Sequence, residues 1–313
     1  MTKARGIFAL QLAVGVAGAA VTGLALFVAL AAVTADTPSS HALLAACRSF
    51  VLPRLSFGSV AALALGSIAF AVLVLAARSA RCQVQARRRF FAGLHVLGDW
   101  PGGGATLFVG ECPQAFCAGL WRPRIYVSTG AVARLARDEL AAVLAHEAHH
   151  ARYRDPLRIF CARVLSDSLF FLPVLRRLFD RYAALAELAA DAAAVDAQRG
   201  DTRPLAAALL AFGECGDSSV VGIAPERVDN LLGERPRWDL PLVLLACAGV
   251  VVGALVVVAV RTEQATAHAP VSLPLIAAQM CMLVMVVVPL VLGSAGLLSA
   301  RRAVRVLGQK PTS

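Results

Sequence analysis

The sequence predicts a mainly α-helical, polytopic membrane protein, and three observations lead to that prediction. Hydrophobic residues make up 58% of the 313 residues, whereas only 16% are charged. The mean hydropathy is +0.71. Apolar runs long enough to cross a bilayer lie on both sides of a more polar central stretch, residues 78–239. This composition excludes an ordinary soluble globular protein.

Four apolar runs have the length of a transmembrane helix, which is about 20 residues. They cover about 7–33, 56–77, 240–260 and 273–298. The first run is too long for the core of a signal peptide, which spans about 7–15 residues. Arginines are densest in residues 78–89, directly after the second run, and such clusters mark the cytoplasmic ends of spans. We therefore expect a multi-pass plasma membrane protein with both termini in the cytoplasm.

The predicted domains follow from these runs. Two transmembrane helices occupy 1–77, a cytoplasmic domain occupies 78–239, and two further helices with a short basic tail occupy 240–313. The net charge of +10 comes mostly from the arginine clusters, and no nucleic-acid-binding motif accompanies them. The expected partner is therefore the lipid bilayer and not nucleic acid. The eight cysteines are scattered without a C-x-x-C pair, which favours reduced thiols over a disulfide framework.

Two short stretches in the central domain predict a β-hairpin. Residues 114–118 and 124–128 have strand-like composition, and the Gly-Leu-Trp-Arg-Pro sequence between them is typical of a turn. A helix is predicted to follow within about ten residues of the hairpin. Asp138 is its predicted N-cap, and Asp155-Pro156 is expected to end it. Residues 157–175 are apolar but interrupted by charges, which predicts an amphipathic helix packed on the first.

His146, Glu147 and His150 form an H-E-x-x-H motif within that predicted helix. Residues four apart share one face of a helix, so His146 and His150 can bind one metal ion. Glu147 is turned about 100° away and can reach a water molecule at the metal. This is the pattern of zinc peptidases, in which zinc acidifies the water and the carboxylate takes its proton. The alternative is a polar helix face with two fortuitously aligned histidines. His149 is expected to face solvent or to support a ligand.

A catalytic zinc site needs a third protein ligand and an open position. Glu187 and Asp191 are four residues apart in a strongly helix-forming stretch, so they share a face. We predict that Glu187 binds the metal, and that Asp191 accepts a hydrogen bond from the far nitrogen of a ligating histidine. The alternative is an acidic stripe on a surface helix. The predicted cofactor is one Zn²⁺ per chain.

The strand edge beside such a site can hold an extended peptide by main-chain pairing. The candidate substrate-binding residues are therefore Gln114, Ala115, Phe116 and Cys117. A purely structural hairpin is the alternative. Arg227 is a candidate for stabilising the oxyanion of the reaction, and a surface arginine is the alternative.

The stretches 116–127, 139–157 and 187–191 resemble the membrane metallopeptidases of the BlaR/MecR type, peptidase family fifty-six. More distantly they resemble the HtpX and Ste-type membrane proteases. The resemblance implies a zincin-like, mostly helical cytoplasmic domain with a small β-hairpin. It also implies His146, His150 and Glu187 as ligands, Glu147 as the base and Asp191 as the acid behind a ligand. The antibiotic sensors of that group carry a penicillin-binding domain after the last span. No such domain precedes Ser313, so we expect no role in β-lactam sensing.

The sequence thus predicts a membrane-embedded zinc endopeptidase that acts on a protein or peptide substrate. That substrate is a cytosolic or membrane protein, with a transcriptional repressor in a signalling circuit as one possibility. Quality control of membrane proteins is a second possible role. A non-enzymatic transducer or scaffold with a relict metal site is the alternative from another class, and the intact Glu147 argues against it. The oligomeric state stays open.

Overall fold

The computed structural model of the protein describes residues 2–34, 57–213 and 240–267, together with the isolated positions 39, 41, 227, 271, 272, 285 and 288. Nearly all of the predicted fourth span, residues 273–298, lies outside the described residues, as does the basic tail. The same holds for most of the predicted loop between the first two spans.

Within the described residues the chain is mainly helical, with a small sheet. The helices are α1 Thr2–Ala31, α2 Phe57–Ala92, α3 Thr129–Arg134, α4 Arg137–Tyr153, α5 Asp155–Ser168, α6 Val174–Ala197, α7 Arg203–Gly213 and α8 Leu242–Thr266. The strands are β1 Val33–Thr34, β2 Val96–Asp99, β3 Thr106–Phe108, β4 Ala115–Ala118, β5 Arg124–Ser128 and β6 Val271–Ser272. The predicted amphipathic helix corresponds to α5, and Pro173 is the N-cap of the next helix.

In the part of the chain that the structure describes, three helices are long and apolar enough to cross a membrane. They are Ala4–Ala31, Phe57–Ala92 and Leu242–Thr266, with mean hydropathies of 2.2, 2.6 and 3.0 over their most apolar windows. The first three predicted spans are therefore confirmed as long apolar helices. The second helix does not end near residue 77, where the apolar run stops, but continues through the arginine cluster to Ala92. Arginine has a high helix propensity, so the cluster does not interrupt the helix.

The chain divides into two compact units. The first consists of Met1–Thr22 and Ala69–Ala254, and the second of Gly23–Ile68 and Leu255–Ser313. In the second unit Val28, Leu65 and Ala259 are buried in one apolar cluster. Strands β1 and β6 pair in parallel in that unit. The predicted domain boundaries at residues 77 and 239 stay predictions.

The first unit contains a four-stranded sheet in the order β2-β3-β5-β4. The predicted hairpin is confirmed, because β4 and β5 pair antiparallel with Phe116 opposite Tyr126. Strand β3 pairs in parallel with β5 and antiparallel with β2. The glycine-rich turn at 100–105 connects β2 to β3. These two strands were not predicted. β2 is exposed along its whole length and β3 has three residues, so neither has a marked apolar alternation.

Two of the apolar clusters in the first unit surround the elements of the site. One surrounds the start of α6 and includes Leu169, Leu172, Val174, Leu175 and Leu178. The other joins the sheet to α4 and α7 and includes Val127, Ala131, Leu140, Val143 and Ala208. The second cluster fixes α4 against the sheet and therefore places the H-E-x-x-H helix beside β4.

Cysteine chemistry differs in part from the expectation. Cys82, Cys117, Cys161 and Cys247 are free thiols. Cys112 is disulfide-bonded, so the expectation of reduced thiols is wrong for this residue. A disulfide requires two cysteines to be close in the folded protein, and scattered cysteines without a spacing pattern do not reveal such a pair.

Gly119 is the turn position of the β4–β5 hairpin that depends most on glycine. Its φ is +132°, and an added Cβ would lie 2.3 Å from the Arg122 carbonyl oxygen. We expect Gly119→Ala to destabilise the protein by about 1–3 kcal/mol, because the chain must leave this turn conformation. Thermal unfolding measures the effect. Gly93→Ala is the matched control, since its Cβ would meet its nearest atom at an ordinary 3.7 Å; equal melting temperatures for the two variants would contradict the prediction.

Candidate metal centre

The helix that carries the motif has well-defined ends. Its N-cap is Ala136, whose N–H donates to the Glu139 carboxylate at 2.9 Å. The prediction of Asp138 as N-cap is therefore wrong: Asp138 lies in the first turn, where its negative charge favours the helix N-terminus. The C-cap Arg154 adopts the left-handed conformation, with φ of 53°. Asp155 then begins α5, so the predicted helix end is confirmed.

The two histidines of the motif converge on one point. The Nε2 atoms of His146 and His150 are 3.2 Å apart, and both residues are buried. Glu187 on α6 completes a triangle, with its Oε2 atom 3.5 Å from His146 Nε2 and its Oε1 atom 3.6 Å from His150 Nε2. The ligand atoms of these three residues all lie within 4.8 Å of one another.

This triangle has the size that a zinc ion requires. Tetrahedral zinc with ligand bonds of about 2.0–2.2 Å holds its ligand atoms about 3.4 Å apart. The observed separations of 3.2, 3.5 and 3.6 Å fit that spacing. The same residues line a cavity of about 330 Å³, which leaves room for a fourth ligand. His146, His150 and Glu187 could therefore hold a metal with an open position.

Each histidine has a carboxylate behind it. Asp155 Oδ2 lies 2.9 Å from His150 Nδ1, in the geometry of a hydrogen bond. Asp191 Oδ1 lies 3.0 Å from His146 Nδ1, although the direction of this contact falls short of hydrogen-bond geometry. Such contacts favour the tautomer in which Nδ1 carries the proton and Nε2 is free for the metal. Asp155 was not predicted as part of the site, because its contact with His150 depends on the turn at Arg154 and follows no helical spacing.

Arg227 joins the two acids of α6. Its Nε and Nη2 atoms donate to the Asp191 carboxylate at 2.8 and 2.6 Å, and its Nη1 atom lies 3.3 Å from Glu187 Oε2. The side chain is only 12% exposed, so this is not a surface arginine. Although burial opposes the charged form of Asp191, contacts with His146 and Arg227 lower the pKa of this carboxyl. The guanidinium thus holds Glu187 and Asp191 in place, and its role toward an oxyanion stays a prediction.

We expect Arg227→Ala to weaken zinc binding by about 10–100-fold, the usual cost of losing a group that orients a metal ligand. The reason is that Asp191 is fully buried and would lose its bidentate partner. Competition with a chromogenic chelator measures the affinity. Arg203→Ala is the matched control, since Arg203 also pairs with an aspartate but is 89% exposed. Equal affinities for the two variants would show that the buried pair does not support the site.

Glu147 lies next to the triangle and lines the same cavity. It accepts a hydrogen bond from the Cys117 backbone N–H. Burial raises the pKa of Glu147, while the two histidines act in the opposite direction. A raised pKa suits a carboxylate that takes a proton near neutral pH. Burial, with the charge of Glu147, raises the pKa of the Cys117 thiol to about 12, so the thiol stays neutral and is a poor metal ligand.

The pKa of His146 predicts how metal binding depends on pH. Burial opposes the charge on this ring, but Asp191 and Glu187 raise its pKa to about 9. In the metal-free protein the ring is therefore protonated at neutral pH. The contacts of the protonated ring stabilise the folded protein fully below the ordinary pKa of 6.5, and this contribution is lost as pH rises through about 9. Because the metal must displace this proton, we expect zinc affinity to rise about tenfold per pH unit between pH 7 and 9. Chelator competition across that range measures it, and a flat profile would contradict the prediction.

The structure brings most of the predicted site residues together. Ala115, Phe116 and Cys117 line the cavity with the ligands and Glu147. Gln114 does not line it; its backbone pairs instead with Ser128 at the end of the hairpin. His149 packs on the Tyr153 ring, with centroids 4.5 Å apart, and is not among the three grouped ligands.

Within the described residues, a triangle of two buried histidines and the half-exposed Glu187 lies beside an H-E-x-x-H carboxylate, and three helices have spanning length. These features are typical of membrane metallopeptidases. Residues 111–227 match the family model described as BlaR1 peptidase M56, so this segment is similar to that family. The match covers a little over a third of the chain, and it contains every predicted site residue from Gln114 to Arg227. The resemblance to the BlaR/MecR type seen in the sequence is thereby confirmed, and the more distant one to the HtpX and Ste-type proteases stays a prediction. No match was found among the curated proteins.

Proposed function

We propose that this protein is a membrane-embedded, zinc-dependent endopeptidase. The observation that carries the proposal is the triangle of His146, His150 and Glu187, open to a cavity that Glu147 also lines. Three protein ligands with one free position are characteristic of catalytic zinc, whereas structural zinc has four protein ligands. The match to a peptidase family supports the same conclusion.

Zinc bound here would polarise the scissile carbonyl and make a water molecule acidic enough to attack it near neutral pH. Glu147 takes the proton of that water on its carboxylate and delivers it to the departing amine. The Cys117 N–H fixes the carboxylate, and burial keeps its affinity for the proton high. Arg227 and Asp191 hold Glu187 and His146 in position.

Strand β4 provides the edge on which a substrate would lie. It is the last strand of the described sheet. The Gln114 carbonyl accepts from Ser128 N–H, so by the alternation of a strand the main-chain groups of Ala115 and Cys117 point away from β5. The Cys117 N–H is already bonded to Glu147, so an extended peptide can pair with the Ala115 main-chain groups and the Cys117 carbonyl. The cavity beside them has apolar walls that suit an apolar side chain, formed by Val143, Ile159, Leu205, Leu209 and Phe212.

We further propose that the catalytic unit and both termini face the cytoplasm and that the protein resides in the plasma membrane with four spans. The arginines of residues 78–89 after the second span support this orientation, as do Lys3 and Arg5 before the first. The pairing of β1 with β6 supports a common direction for the first and third spans, because these strands follow those helices and so lie on one side of a bilayer. A reporter fused after Ser313 should behave as cytoplasmic; an external signal would refute the orientation.

The proposed substrate is a cytosolic protein or the cytosolic part of a membrane protein, with a transcriptional repressor as the first candidate. To test the activity, purified full-length protein in detergent is incubated with casein or a candidate repressor. We expect cleavage with zinc, loss of cleavage after chelation and recovery when zinc is returned. A protein that binds zinc but leaves every such substrate intact would instead favour a non-enzymatic transducer. In cells, a proteomic comparison with a Glu147→Gln strain should reveal the trimmed substrate.

A further inference from the structure

One carboxylate joins the metal ligand His150 to a buried tyrosine. Asp155 Oδ2 contacts His150 Nδ1 at 2.9 Å, and Asp155 Oδ1 accepts from the Tyr182 hydroxyl at 2.9 Å. Tyr182 is 1% exposed and Asp155 is 4% exposed. Because both carboxylate oxygens are bonded, the orientation of Asp155, and with it the His150 ring, depends on the position of Tyr182.

The Tyr182 ring in turn rests on the first membrane helix. Its centroid lies 5.1 Å from that of Phe8 on α1, with the two planes tilted by 41°. The Arg158 guanidinium lies 5.4 Å from the centroid of the Phe8 ring, and Arg5 lies 5.0 Å from that of Tyr153. The start of α1 therefore packs directly against the residues that surround Asp155.

A buried polar residue fixes α1 at the next turn. Gln11 has no exposed surface, and its Nε2 atom donates to the carbonyls of Ala162 at 3.1 Å and Leu175 at 3.4 Å. A glutamine in an apolar helix is costly to bury unless it is hydrogen-bonded. These bonds tie α1 to α5 and to the start of α6.

Two glycines on the same face of α1 allow close contact further along. An added Cβ at Gly15 would lie 2.7 Å from Leu165, and one at Gly18 would lie 2.7 Å from Leu172. With Phe8 and Gln11, these positions recur at intervals of three or four residues, which is one face of a helix. This face is packed against the catalytic unit and is not available to lipid.

We propose that α1 positions the metal ligand His150 through the contacts Phe8–Tyr182–Asp155. Phe8, Tyr182 and Asp155 are positioning residues and touch no substrate. The inference rests on the proposed function in one respect, namely that the site holds zinc. Its consequence is that a displacement of α1 in the bilayer alters the orientation of His150 and hence the strength of metal binding. The first membrane helix is thus part of the metal site's support as well as an anchor.

The test compares zinc affinity in full-length variants, by chelator competition, together with the visible absorption of the cobalt-substituted protein. Tyr182→Phe keeps the ring but removes the hydroxyl, and we expect it to weaken zinc binding about tenfold, as other outer partners do. Phe8→Ala should weaken it several-fold, and both should shift the cobalt bands. The controls are Tyr126→Phe, whose hydroxyl has no partner among the described residues, and Phe27→Ala, an exposed phenylalanine of the same helix. Both controls should bind zinc like the wild type.

A double variant separates transmission through the contacts from a general loss of stability. If Phe8 acts through Tyr182, Phe8→Ala should change zinc affinity less in the Tyr182→Phe variant than in the wild-type protein. Three results would each overturn the proposal. They are an unchanged zinc affinity in both single variants, fully additive effects of the two substitutions on zinc affinity, and a lower unfolding temperature of the metal-free protein without a change in zinc affinity. A wild-type protein that binds no zinc would overturn the proposed function itself.

Discussion

Replacing Glu147 with glutamine is expected to lower peptide hydrolysis by about 10²–10⁴-fold, the usual contribution of a general base. The amide keeps the shape and the hydrogen bond from the Cys117 backbone, but it has no carboxylate to take a proton. Glu147 is not one of the three grouped ligands, so zinc should remain bound at about the wild-type affinity. The measurements are initial rates on a protein substrate and the zinc content of the same preparation.

Glu111→Gln is a matched control for this variant, because Glu111 is exposed and lies in the same matched segment. It should cleave like the wild type. Equal rates for Glu147→Gln and Glu111→Gln would refute the role of Glu147 as base. A loss of zinc from Glu147→Gln would show instead that this residue helps to hold the metal.

Replacing Glu187 with alanine is expected to remove most of the bound zinc. The side chain contributes one corner of the triangle, at 3.5 and 3.6 Å from the two histidine nitrogens. Its loss should therefore weaken binding by more than the 10–100-fold that the loss of an outer partner costs. Although burial disfavours the charged form, contact with His146 lowers the pKa of Glu187, so the carboxylate is ionised and ready for a metal. Elemental analysis after dialysis should show zinc per chain falling from about one toward zero.

Asp196→Ala provides the comparison, because Asp196 is an exposed acid on the same helix, α6. It should keep its zinc. Added zinc should also raise the unfolding temperature of the wild type and of Asp196→Ala but not that of Glu187→Ala, since only a ligand that binds the folded state stabilises it. Unchanged stoichiometry in Glu187→Ala would refute the ligand assignment.

The parts of the site that the sequence could predict are those fixed by local geometry. His146 and His150 are one helical turn apart, as are Glu187 and Asp191, and helical spacing alone places each pair on one face. The β4–β5 hairpin is likewise a local structure with a recognisable turn. Strands β2 and β3 were missed because their place in the sheet depends on the parallel pairing of β3 with β5, which no local pattern encodes.

The sequence by itself predicted the long apolar helices within the described residues, the candidate metal ligands and the candidate base, because apolar length and helical periodicity follow from the order of residues. Only the tertiary structure decided what supports those ligands. Asp155 reaches His150 through a left-handed turn at Arg154. Tyr182 meets Asp155 from another helix, and Phe8 meets Tyr182 from a membrane helix far away in sequence. Such contacts arise from the packing of α1, α4, α5 and α6 against one another, and packing is a property of the folded chain that spacing along it does not specify.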